Sequence, residues 1–135
     1  MLNELHDLIA ARLATVAGFE YIGTALQDEQ QKRPDGLIWL EDDSEVANSP
    51  GRDLTWGVRV SVNHSDTVGA AKTTIYNLLD AFRDAFARWE PGVKGIEPKS
   101  VRVPKIKLAG HESKGPTIYT ALVVFRVFPK IFAQS

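Results

Sequence analysis

The chain has 135 residues, 44% of them hydrophobic and 24% charged, and its 16 basic and 17 acidic side chains leave a formal charge of -1. That length predicts one domain able to bury a core unaided, and the charge balance argues against a dedicated nucleic-acid binder. With no cysteine, disulfides and thiolate metal sites are excluded, and no apolar run approaches the ~20 residues a membrane helix needs.

The first predicted element is a helix from Leu2 to Val16, with Leu2, Leu5, Leu8, Ile9, Leu13 and Val16 on one side and Gly18 as its C-cap. Its Glu4 and Asp7 are unlike a secretory signal, so the expectation is an intracellular soluble protein. Phe19, Tyr21 and Gly23 form an ambiguous stretch able to begin a short strand. Residues 27–36 read as a polar loop ending in Pro34-Asp35-Gly36. Leu37 to Glu41 reads as a strand, with Leu37, Trp39 and Glu41 on one side and Ile38 and Leu40 on the other. Residues 42–53 have the composition of a long hairpin loop centred on Ser49-Pro50-Gly51.

From Leu54 to His64, Trp56, Val58, Val60 and Val62 alternate with Thr55, Gly57, Arg59 and Ser61, the period of a half-buried strand. Thr67 to Trp89 carries the clearest signal in the chain. There Val68, Ala71, Ile75, Leu78, Leu79, Phe82, Phe86 and Trp89 recur at helical spacing. Ser65-Asp66-Thr67 supplies N-cap oxygens, and Pro91-Gly92 ends the run. Ser100 to Leu108 alternates around Pro104, where a bulge or an edge position would reconcile its two halves. Residues 109–116 read as a turn, and Thr117 to Phe128 as a strand apolar at both parities. The predicted fold is therefore α+β in the order αββαββ. It has a single antiparallel or mixed sheet of four to five strands, with two helices packed on one face.

Motifs for catalysis are absent from this pattern. His6, His64 and His111 lack ligand spacing, and His64 with Asp66 is the nearest approach to a pair. Glu41, Asp42, Asp43 and Glu45, like Asp28 and Glu29, read as solvated loop carboxylates or as a contact for a partner protein. No serine sits in a nucleophile elbow. Gly110 and Gly115 do not build a phosphate loop. The basic residues Lys94, Lys99, Arg102, Lys105, Lys107 and Lys114 lack the interleaved aromatics of a single-strand binder. A bulge at Pro104 would bring Arg102, Lys105 and Lys107 onto one face, either as a solvated edge or as a lining toward DNA or an acidic partner.

The last strand bears on assembly. With both helices on one side of the sheet, the other side should be polar in a monomer. Two readings remain open: a central strand covered on both faces, or one side covered by a second copy. The candidate oligomer interface is Tyr119, Val123, Phe125 and Val127, joined by Ile131 and Phe132 of the tail.

The N-terminal helix, the Leu37-Ile38-Trp39-Leu40 strand, the polar hairpin loop, the strand Leu54 to Val62, the helix from Thr67 and the closing hairpin with Ile118 to Phe128 together resemble the tail-terminator, or tail-completion, minor tail proteins of long-tailed bacteriophages and prophages. The resemblance covers nearly the whole chain in element order and length. It implies a non-enzymatic structural protein, a subunit of a homo-oligomeric, hexameric ring that caps the tail tube and meets the head-completion proteins. It implies no cofactor and no membrane partner. It places the protein in the host cytoplasm during virion assembly and then in the virion tail, with the basic row near DNA or an adjoining ring. The alternatives are a dimeric small-molecule-binding or catalytic α+β domain with a pocket near His64 or Tyr76, or another assembly module such as a chaperone or secretion-system component.

Overall fold

A computed structural model describes residues 1–24, 35–62, 68–111 and 117–132. Helix α1 (Leu2–Leu13) forms on the predicted stripe: Leu5, Ile9 and Leu13, four residues apart, have no exposed surface. It ends a turn earlier than Val16, which is nonetheless buried. Helix α2 (Val68–Phe86) buries Ile75, Leu78, Leu79, Phe82 and Phe86. It stops before the expected Pro91-Gly92, because Arg88 turns into the left-handed region at φ 61° and donates its N–H to Val101 O. Arg12 of α1 donates from Nε to Ala85 O at 2.9 Å, satisfying a carbonyl in the last turn of α2, and its guanidinium lies 5.5 Å from the Trp89 ring.

Five strands form one mixed sheet: β1 (Tyr21–Thr24), β2 (Asp35–Glu45), β3 (Arg52–Val62), β4 (Arg102–His111) and β5 (Thr117–Val127). Their spatial order is β1-β2-β3-β5-β4. β1 runs parallel to β2, and the other pairings are antiparallel. A short helix, α3 (Pro129–Phe132), closes the chain. Gly95 permits its approach, since a Cβ there would lie 2.8 Å from the Phe132 backbone.

The α+β class and the single sheet agree with the sequence reading, and its element order and loop bounds are corrected. The order is αβββαββα, because the ambiguous stretch after Gly18 contributes β1 and the tail contributes α3. The sheet is mixed, one of the two arrangements the sequence left open. The expected loops shrink: residues 35–36, 42–45, 52–53 and 109–111 are strand, leaving 46–51 as the β2–β3 connection. Residues 27–34, 63–67 and 112–116 of the expected loops and cap lie outside the described residues.

Both long helices pack on the same face. One cluster unites Leu5, Ile9 and Leu13 of α1, Phe82 and Phe86 of α2, Trp56, Val58 and Val60 of β3, and Val123, Phe125 and Val127 of β5. Each fully buried side chain of this size contributes about 1.5–3 kcal/mol by leaving water. Among the described residues no helix is long and apolar enough to cross a membrane.

Candidate interaction surface

The face of the sheet away from the helices is where the chain has surface left to use. Register fixes its composition, because alternate residues point to opposite faces. Trp56, Val58 and Val60 face the helices, so Asp53, Thr55, Gly57, Arg59 and Ser61 face away. Their partners on β5 are Arg126, Val124, Leu122, Thr120 and Ile118. On β2 the same face carries Asp35, Leu37 and Trp39.

Two bulges decide the charge at the rims. In β2 the register shifts between Leu40 and Asp42, so Glu41 and Asp42 together oppose Thr55. Trp39 donates from Nε1 to Glu41 Oε2 at 2.5 Å, which holds that carboxylate on the open face. Ser44 donates its hydroxyl to Asp42. In β4 the register shifts between Arg102 and Lys105, at Pro104. Arg102, Lys105 and Lys107 therefore oppose Val124, Leu122 and Thr120, and the conditional reading of a single basic row matches this geometry. All three are exposed. The face thus runs from carboxylates on β2, across Trp39, Gly57, Leu122 and Val124, to cations on β4.

Close packing seals its centre. A Cβ on Gly57 would stand 2.2 Å from Cε2 of Trp39, so the indole lies directly over the glycine. Leu37 and Val124 are only 3% and 5% exposed although neither belongs to the helix-side core. Asp35, fully buried, accepts from Ser61 Oγ at 2.5 Å and from Arg59 Nη2 at 3.3 Å. At the other end Arg126 donates to both Asp53 oxygens, at 3.0 and 3.3 Å, and lies 3.7 Å from Glu97. That hydrogen bond from Arg126 holds the Asp53 carboxyl below the usual carboxylate range, against the opposing effect of burial.

The expected interface residues divide differently. Val123, Phe125 and Val127 have no exposed surface and pack beneath the helices, and Phe132 is 7% exposed in the same cluster. That parity is core, because β5 alternates in step with Trp56, Val58 and Val60; it leaves nothing for a neighbour to cover. Tyr119 is half-buried against the core, where desolvation first and its hydrogen bond with Tyr76 second raise its phenol above the ordinary tyrosine value. Ile131 is exposed. The apolar surface left over lies at the other parity, with the half-buried Leu122 and, across the sheet, Trp39.

The alternative site near His64 or Tyr76 finds one residue to place: Tyr76 is exposed on α2, and His64 lies outside the described residues. Among the described residues no group of three or more His, Asp or Glu side chains could hold a metal ion. Sequence reasoning missed Trp39, Gly57 and the buried Asp35–Arg59 pair. A lone glycine inside an otherwise regular strand was the available signal for close approach by another group. The sequence matches none of the protein-family models and none of the curated proteins with which it was compared.

Proposed function

We propose that this chain is a structural subunit of a bacteriophage or prophage tail, a tail-terminator-like protein. Its copies form a ring, hexameric in the proteins it resembles, that caps the tail tube and joins it to the head-neck proteins. Its activity is binding geometry, without catalysis or a cofactor. The observation that carries this reading is the open sheet face, where the half-buried Trp39 and Leu122, beside the buried Leu37 and Val124, lie between rims of opposite charge. A mixed surface of that kind suits protein–protein contact better than enclosure of a small molecule. The succession of an amphipathic helix, a long hairpin, a long helix and a closing hairpin adds the architectural likeness.

Sedimentation of the purified chain, followed by electron microscopy with tail tubes, tests the proposal. Rings that cap tube ends are the expected result. A strict monomer at high concentration overturns the ring, and rings indifferent to tubes overturn the assignment to a tail.

A further inference from the structure

The two rims lie along the two stretches of sheet edge that no strand covers among the described residues. β1 pairs with β2 only from Asp35 to Ile38, so beyond Ile38 the outer edge of β2 has no strand partner among the described residues. β4 is the last strand on the opposite side. Such edges carry unpaired backbone donors and acceptors and template pairing with another chain. Each edge here bears one exposed leucine on the helix side, Leu40 at 36% and Leu108 at 48% exposure. Each also bears charge on the open side: Glu41 and Asp42 on β2, Lys105 and Lys107 on β4. None of these four charged groups forms an ion pair among the described residues, whereas Asp43 is held by Arg52 at 2.6 Å.

We infer that β4 of one copy pairs with the free part of β2 of the next, so that identical chains assemble edge to edge in a heterologous, head-to-tail manner. The inference rests on the ring proposed above and names its joint. Strand directions favour it, because β2 and β4 run oppositely within one chain and copies in the same orientation meet antiparallel. Setting Leu108 against Leu40 places Lys107 across from the Glu41–Asp42 bulge and Lys105 across from Ser44. Both faces keep their parity in that register. The stagger it demands is met by tilting the strands to the ring axis, as shear is in a barrel.

Charge also excludes the symmetric alternatives. Pairing β4 with β4 sets lysine against lysine, and pairing β2 with β2 sets carboxylate against carboxylate. Pro104 and the lysines guard the edge against indiscriminate pairing, and an acidic edge is the occupant they admit. A joint between unlike edges closes a ring when the rotation allows it.

The test uses two charge-reversed full-length chains, Lys105→Glu/Lys107→Glu and Glu41→Lys/Asp42→Lys, followed by sedimentation at a concentration where the wild type assembles. Each variant alone should be a folded monomer, with thermal melting within a few degrees of a monomeric reference such as Leu40→Asp. Mixed in equal amounts they should assemble again, because one then has two acidic edges and the other two basic ones. Assembly of either variant alone at wild-type strength, or no recovery on mixing, overturns edge pairing while leaving the ring intact. A wild type that never associates overturns both.

Discussion

On β5, Val123 and Leu122 are adjacent and nearly alike in chemistry, yet they serve opposite ends. Val123 lies under two helices with no exposed surface, whereas Leu122 points to the open face and keeps part of its surface. The contrast extends across the whole sheet. The helix side is a continuous hydrocarbon interior that makes the subunit fold. The other side mixes leucine, valine and tryptophan with ion pairs, and there Trp39 and Leu122 keep part of their surface after folding. The same apolar content supplies stability where it is enclosed and affinity where it is left partly bare.

Mutations that treat the two faces alike should therefore give unlike results. The largest effect is expected for Val123→Asp: a carboxylate placed beneath the helices costs more than the whole of a typical 5–15 kcal/mol stability, roughly speaking, unless it stays protonated. Circular dichroism should show loss of the fold, and a folded, merely dissociated monomer would return this parity to the interface. Next comes Gly57→Ala on the open face. The new Cβ must displace the Trp39 ring, at a cost of about 1–3 kcal/mol in urea unfolding, with the fold retained.

Asp53→Asn is a smaller change, on the order of 1 kcal/mol at neutral pH. Its pH dependence has a definite sign. The folded carboxyl is depressed by Arg126, so its contribution is fully present above the unfolded value, about 3.9, and is lost as pH falls through the lower folded value. Wild-type and Asp53→Asn stabilities should converge in strong acid and separate above pH ~4. A constant gap at all pH values would remove the charge from the explanation. The smallest effect is on the fold itself: Lys107→Ala should change unfolding of the monomer by less than about 0.5 kcal/mol, while its association weakens.

The legibility of each element followed from how one-sided its burial is. The stripe from Ile75 to Phe86 and the alternation from Trp56 to Val62 each face one environment, and periodicity reads them directly. β1 has only four half-buried residues, too few to establish a period. The extension of β2 through Asp42 to Glu45 is polar on both sides, so its strand character rests on backbone pairing with β3 and leaves no hydrophobic trace. β5 is apolar at both parities, and nothing in its own sequence says which side the helices take. Pro104 did announce its bulge, because proline inside an alternating run forces a choice between an irregularity and an edge. The bulge at Glu41 had no such marker.

The indole seated over Gly57 has a practical consequence. Of the chain's three tryptophans, Trp56 is enclosed and Trp89 stacks edgewise on Phe86 and Phe125, which leaves Trp39 alone on the uncovered side. Its fluorescence is a label already in place, shifting to the blue as that side is shielded from solvent while Trp56 and Trp89, in or against the helix-side core, keep reporting unchanged surroundings.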